Sequence, residues 1–172
     1  MMKTLFWPLF VLVVLSIGFL VFAHDSIARL PEKIATHFGT NGTPNGWMNR
    51  DNYFLFMVGM GLGLSWLLAC IGLLCRFIPA RFVNIPNRDY WFSPERKQES
   101  CLYFSRYMIW MCCLTISFFA GMHYTVVKAN QSSPVKMPNE IFWPLLIGYL
   151  IVTGIWSIAV IMRFSKKHMI EE

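Results

Sequence analysis

Four segments of this chain are long and apolar enough to cross a lipid bilayer, and they constrain the fold more than any other feature. They span residues 5–23, 53–75, 107–127 and 141–162. A hydrocarbon core of about 30 Å needs roughly 20 apolar residues, and a helix satisfies its own backbone hydrogen bonds inside lipid. With 56% hydrophobic and 14% charged residues, the chain is predicted to be an all-α integral membrane protein. We expect one domain, residues 1–172, folded as an antiparallel four-helix transmembrane bundle.

Lysine and arginine are distributed unequally between the two sides of this bundle. With a cytoplasmic N-terminus, ten of them lie inside and five outside. The inside set is Lys3, Arg76, Arg81, Arg88, Arg96, Lys97, Arg106, Arg163, Lys166 and Lys167, and the outside set is Arg29, Lys33, Arg50, Lys128 and Lys136. Because basic residues in short loops resist translocation, both termini are predicted to be inside. Residues 76–106 then form a cytoplasmic loop, and residues 24–52 form a small outward-facing cap between helices 1 and 2.

The placement of charged residues also excludes several classes of function. The net charge of +6 follows from this asymmetry and predicts contact with anionic lipid of the bilayer, not with nucleic acid. No charged residue lies at mid-depth in the predicted spans, where pumps and ion-coupled transporters bury an ionisable group. The sequence also shows neither a nucleophile motif nor a paired carboxylate. We therefore predict a protein that is not an enzyme and has no cofactor.

The polar stretch LPEKIATHFGTNGTPNGW, residues 30–47, is the part of the chain most typical of a binding site. Ile34 and Phe38 alternate with Ala35 and His37, so an extended segment would place His37 on the face opposite the apolar pair. Two turn signals, Asn-Gly and Pro-Asn-Gly, follow. The pattern predicts a hairpin-like cap. Its candidate partner-binding residues are His37, Phe38, Asn41, Asn45 and Trp47.

Three histidines are predicted at the outer end of the bundle: His24, His37 and His123. Neutral imidazoles together with the adjacent Asp25 could ligate zinc or copper. Their spacing matches no established metal motif, so no metal site is predicted. The three side chains are kept as candidates for the alternative that this is a small metal-handling membrane protein.

Small residues in the second span indicate close helix packing. Gly59 and Gly63 lie one helical turn apart and form a small-xxx-small pair, which lets another helix approach closely. The partner helix could belong to this chain or to another subunit. A homo-oligomer and a hetero-oligomer are therefore both open from sequence.

The cytoplasmic loop has two interpretations. Its aromatic residues could anchor an interfacial helix, with the arginines on lipid phosphates, or the loop could dock a partner. The candidate residues for docking are Asn84, Asn87, Asp89, Trp91 and Arg96. Ser93-Pro94-Glu95 is typical of a helix N-terminus and predicts that a helix leads from the loop into the third span.

The cap motif resembles a known pattern. Leu30-Pro31, Ile34, His37-Phe38, Gly42 and Asn45-Gly46-Trp47 look like the "LP-x-x-I-P-x-H-F … G-x-x-D-x-W" pattern of a bacterial domain of unknown function, over roughly residues 5–75. That domain forms the N-terminal part of the Sdp immunity protein family, membrane proteins that protect a producing cell from its own peptide toxin. Ala35 and Asn45 depart from the pattern, at a proline and an aspartate. The cytoplasmic loop differs from the immunity proteins, and the second half is more similar to uncharacterised four-span bacterial proteins.

The resemblance implies a multi-pass protein of the bacterial cytoplasmic (inner) membrane. Its outer loop would bind a peptide or a partner protein in an immunity-like or signalling-like role. An accessory subunit of a larger membrane complex is the alternative, alongside the metal-handling protein.

Overall fold

Helices account for most of the structure. The computed structural model describes residues 2–166, with side chains from Thr4 onward; Met1, residues 167–172 (including Lys167 of the inside set) and the side chain of Lys3 lie outside the described part. The longer elements are α1 (Met2–Ile27), β1 (Lys33–Phe38), β2 (Pro44–Asn49), α2 (Arg50–Val58), α3 (Leu64–Leu74), α5 (Lys97–Gln131) and α6 (Asn139–Ser165), with the short α4 (Arg88–Trp91) before α5.

The four predicted membrane-crossing helices are confirmed by length and composition. The candidate spans are Thr4–Ile27, Arg50–Phe77, Lys97–Gln131 and Asn139–Ser165. Each is longer than the apolar run that predicted it, since the helix continues into the flanking polar residues. The largest extension is the start of α5, where Ser100, Cys101 and Ser105 are buried.

The second span is one continuous helix with an internal change of winding. A π-helical turn, Gly59–Gly63, joins α2 to α3, and a 3-10 turn, Cys75–Phe77, ends the span. Gly61 is the buried glycine of this turn, since a Cβ there would stand 2.6 Å from the Phe19 ring. Gly59 and Gly63, the predicted packing pair, have no heavy atom within 4 Å of a built Cβ. In this turn, close helix approach therefore occurs at the glycine between them.

Helix α5 lies at the centre of the helical packing. It contacts α1 and α3 along their lengths, and α6 packs mainly on α5. The middle of the core contains Leu12, Phe19, Ala69, Ile109 and Ile116. By contrast, none of the most apolar window of α6 is buried. The helices therefore form a three-helix core of α1, α3 and α5, with α6 against its side.

The two ends of this bundle differ. The cap end carries a two-stranded antiparallel sheet of β1 and β2, packed over Leu30, Ile34, Tyr53, Val126 and Met137. The opposite end, called here the loop end, carries the segment between α3 and α5. There Cys75, Trp91, Phe92, Cys101 and Phe164 form a separate cluster. The predicted outer hairpin and the predicted loop are thus on opposite ends of the helices.

Candidate functional site

The hairpin cap, residues 33–49, is an antiparallel pair with an irregular far end. Ile34 pairs with Met48 and Ala35 with Trp47, and bulges follow on either side of His37. Ile34 is buried and His37 is exposed, as alternation predicts. Ala35 differs, since it is fully buried. The end of α5 covers Ala35. The alternation within the strand cannot predict this, because α5 is distant in sequence.

Two glycines allow the chain to turn tightly in this cap. Gly42 has φ of +80°, a conformation that side chains other than glycine rarely adopt, and its N–H donates to the carbonyl of Gly39 (2.8 Å). A Cβ on Gly46 would stand 2.8 Å from the Cβ of His37 across the strand pair. Gly46 therefore lets the His37 side chain approach β2 closely, and Nδ1 of His37 makes a hydrogen bond with Oδ1 of Asn45.

The side chain of Asn130, near the end of α5, fixes β1 to the helices. Oδ1 of Asn130 accepts from the N–H of Ala35 (2.8 Å), and Nδ2 donates to the carbonyl of Ala35 (2.9 Å) and to that of Val126 (2.9 Å). The amide thus pairs with Ala35 as a neighbouring strand would. It satisfies the outer edge of β1 at this residue.

Two further contacts fix the cap at its tip and base. The N–H of Met137, in the loop between α5 and α6, donates to the carbonyl of Gly42 (2.9 Å). At the base, Nη1 of Arg50 donates to the carbonyl of Leu30 (3.3 Å). The cap is therefore fixed to α5 and to the loop between α5 and α6, its two flanks are joined at the base, and it is not a free loop.

The outer edge of β2 has no comparable cover in the described chain. The N–H of Arg50 donates to the carbonyl of Glu32 (2.8 Å), so by alternation Trp47 and Asn49 direct their backbone groups away from β1. The described residues form one sheet of two strands, and none of them adds a strand beyond β2. Trp47 lies on this edge with 46% of its surface exposed.

The predicted partner-binding residues fall into two groups. His37, Asn41, Asn45 and Trp47 are exposed on the cap. Asn41 also holds the turn, because its Oδ1 accepts from the N–H (3.1 Å) and hydroxyl (2.7 Å) of Thr43. Phe38 is half-buried and packs on the cluster beneath the cap. The exposed residues are available for contact, and the binding role of all five stays a prediction.

His123 lies directly beneath the cap, in a buried network of three helices. Its ring is 1% exposed. Nδ1 lies 2.9 Å from the hydroxyl of Tyr53, and Nε2 lies 2.6 Å from Oγ of Ser26. Oγ of Ser26 in turn donates to the carbonyl of Phe22 (2.6 Å). The network joins α1, α2 and α5 at the cap end.

The contacts in this network determine which group donates in each hydrogen bond. Because the hydroxyl of Ser26 donates to Phe22, Nε2–H of His123 must be the donor to Ser26, and Tyr53 donates to Nδ1. This is a neutral imidazole with both nitrogens satisfied. A serine and a histidine at this distance resemble a nucleophile and its base, but here the serine proton is already used and both residues are buried. The arrangement connects helices and does not activate the serine.

The three histidines do not come together. His24 is exposed and stacks edge-on against Phe54, with ring centroids 6.4 Å apart, while His37 bonds to Asn45 on the cap. In the part of the chain that the structure describes, no group of three or more His, Cys, Asp or Glu residues could hold a metal ion.

Two of the five loop candidates, Asn87 and Trp91, bind the end of α6. Nδ2 of Asn87 donates to the carbonyls of Phe164 (3.1 Å) and Ser165 (3.0 Å), and Nε1 of Trp91 donates to that of Phe164 (2.8 Å). These bonds satisfy carbonyls that the last turn of a helix leaves open. Asp89 pairs with Arg88, Arg96 lies over the Tyr90 ring at 4.0 Å, and Asn84 is exposed. Asn87 and Trp91 thus hold α6 against the loop end.

Sequence reasoning missed the residues that position the site. Asn130, Ser26 and Tyr53 each make a hydrogen bond to a residue at least 70 positions away. The available signal was weak: a polar side chain within the first or last turns of an apolar helix, next to a loop. Such residues are as often exposed to water, so the pattern alone does not identify their partners.

The comparisons with known proteins locate one domain in this chain. Residues 9–62 match the model of a domain of unknown function, DUF1648. The match includes most of α1, the whole hairpin cap, α2 and most of the π-helical turn, so the predicted N-terminal domain of unknown function is present. No curated protein and no solved structure matches the chain. Nothing in these comparisons links the domain to the Sdp immunity family.

Proposed function

We propose that this is a non-enzymatic membrane protein that binds an extended segment of a peptide or partner protein along the outer edge of β2. The observation that carries the proposal is that uncovered edge, with the exposed Trp47 on it. In binding by strand addition, main-chain hydrogen bonds supply affinity and alternate side chains supply specificity. Trp47 offers both a backbone donor and acceptor and a large aromatic surface.

The composition of β2 is more typical of an edge that binds a partner than of an edge protected against pairing. Proteins usually protect an exposed edge with charged residues, a proline or a covering segment. The strand Pro44–Asn49 reads PNGWMN and has a proline only at its first position, with no charge. On β1, in contrast, the chain covers the edge with Asn130. Within the described chain, the outer edge of β1 is thus covered and the outer edge of β2 is open.

The attachment of the cap supports tight binding. Contacts to Asn130 and Met137 hold the hairpin before any ligand arrives, and a preformed site loses less conformational entropy on binding. The distribution of basic residues favours a cap that faces outward, and the family resemblance implies a bacterial cytoplasmic membrane. Since the cap motif resembles the Sdp immunity family, a peptide is the first ligand to test, and a subunit of a membrane complex is the second.

Site-specific photocrosslinking in cells tests the proposal. A benzophenone amino acid at position 47 should give a discrete adduct with one peptide or protein. The matched control is position 33, because Lys33 is also exposed but lies on β1, where it pairs with Asn49, two residues along β2 from Trp47. We expect an adduct at position 47 that is absent or much weaker at position 33. Equal crosslinking at both positions, or none at position 47, would contradict binding at this edge.

A further inference from the structure

A cavity of about 600 Å³ opens at the loop end of the bundle, far from the hairpin cap. Its walls come from the first turns of α1, the end of α3 with the following 3-10 turn, and the start of α5. Sites for small ligands have volumes of roughly 300–1,000 Å³. The cavity is thus large enough for part of a lipid-sized molecule.

The walls of the cavity are divided between apolar and basic groups. Leu5, Leu73, Phe77 and Leu102 supply apolar surface, and Arg76 and Lys97 supply two positive charges. No carboxylate is among the described residues that line it. An occupant that satisfies both parts must combine an anionic group with a hydrocarbon tail.

Neither cation of the cavity is paired with a carboxylate in the described chain. The salt bridges there engage Arg29, Arg88 and Arg163, and neither Arg76 nor Lys97. The guanidinium of Arg76 lies over the ring of Phe77, with 4.6 Å from Cζ to the ring centroid. This contact leaves its N–H groups available for an oxyanion, which guanidinium groups bind with two parallel hydrogen bonds.

The position of the cavity along the helices identifies the source of the anion. Arg76 is in the turn that ends the second candidate span, and Lys97 begins the third. Both are therefore at the depth where an apolar helix meets the headgroup region. The same end of the bundle carries the larger share of the basic residues, and basic pockets between helices on the cytoplasmic side favour anionic headgroups.

We infer that this cavity is a binding site for an anionic phospholipid, with its phosphate between Arg76 and Lys97 and an acyl chain along Leu5, Leu73 and Leu102. The lipid contacts α1, α3 and α5 together. It would thus bridge the three core helices at the end where the hairpin cap cannot hold them.

Lipid binding to the full-length protein in mild detergent tests the site by native mass spectrometry and thermal stability. Phosphatidylglycerol is compared with phosphatidylcholine of the same acyl chains and with inorganic phosphate. We expect phosphatidylglycerol to bind and stabilise the protein, and the Arg76→Gln, Lys97→Gln double variant to lose about 30-fold in affinity. The matched control is Arg81→Gln, Arg106→Gln, which removes two exposed positive charges in the neighbouring sequence outside the cavity lining.

A second variant separates the acyl chain from the charge. Leu102→Trp fills the cavity and keeps both cations, so it should lose phosphatidylglycerol binding, whereas Leu150→Trp, on a 58% exposed site of α6, should not. Melting without lipid shows whether each variant is folded. Unchanged affinity in both cavity variants would overturn the site, and equal binding of phosphatidylcholine would overturn the anion preference. Stabilisation by phosphate alone to the same extent would overturn the lipid as its source.

Discussion

Single polar side chains beneath the cap determine how the helices meet at that end. His123, Tyr53 and Ser26 satisfy one another inside an otherwise apolar cluster. A buried polar group that loses its partner costs more than the bond itself contributes, because the remaining group has also lost its water. These residues therefore make the packing of α1, α2 and α5 specific to one arrangement.

The substitution Tyr53→Phe tests this network at a single atom. It removes the hydroxyl that donates to Nδ1 of His123 and changes little in shape, so we expect a loss of about 1–3 kcal/mol in the free energy of unfolding. Denaturant titration in mixed micelles measures it. The matched control is Tyr124→Phe on the same type of side chain, which is 39% exposed and should change stability little. Equal effects of the two substitutions would show that the buried network does not stabilise the fold.

At the level of elements, the attachment of the hairpin to α5 decides whether the cap is rigid. One amide side chain, Asn130, makes both bonds that a neighbouring strand would make to Ala35. The loop end has a parallel arrangement, since Asn87 and Trp91 bind the last carbonyls of α6. In both places side chains make hydrogen bonds to backbone groups that have no backbone partner.

Asn130→Asp should free the hairpin from the helices. A carboxylate can still accept from the N–H of Ala35 but cannot donate to the carbonyls of Ala35 and Val126, which it would then face oxygen to oxygen. We expect faster hydrogen–deuterium exchange across residues 33–49 and a loss of about 1–3 kcal/mol in stability. Gln131→Glu is the matched control, because it makes the same chemical change at the next, exposed residue. Exchange in the hairpin equal to that of the wild type would argue against this attachment.

At the level of the whole molecule, the two ends differ in structure and in charge. The cap end is a small sheet fixed over the helices, and the loop end combines aromatic residues with most of the arginines. Between them, α6 has its most apolar window entirely unburied. In a bilayer this surface lies against lipid or against another helix, and the open glycines Gly59 and Gly63 offer a second such surface.

Cysteine labelling determines which end faces outward. With both termini inside, the introduced cysteine of Thr43→Cys at the hairpin should react with a membrane-impermeant maleimide in intact cells. Asn84→Cys at the loop end should react only after permeabilisation, because the basic loop is retained inside. Both positions are exposed, and the wild-type chain with its native cysteines sets the background. The reverse pattern would contradict the predicted orientation.

The sequence alone was enough to predict the membrane-crossing helices and a hairpin-like cap. Apolar runs and turn residues act locally: a run of about 20 apolar residues prefers lipid whatever surrounds it, and Gly42 permits its turn through its own backbone. Exposure of His37 followed from the same local patterns. Strict alternation would bury Phe38 and expose Ala35, but Phe38 is half-buried and Ala35 is fully buried. The reason is that α5 and the helix ends cover part of the hairpin.

Only the tertiary structure decided which distant residues meet. Asn130 lies 95 positions from Ala35, and His123 lies 97 positions from Ser26. It also decided that Gly61, and neither Gly59 nor Gly63, lies against Phe19. The physical reason is that a hydrogen bond or a close contact depends on the rotation and depth of two helices relative to each other. Composition and periodicity specify each helix separately, whereas packing sets the relation between them.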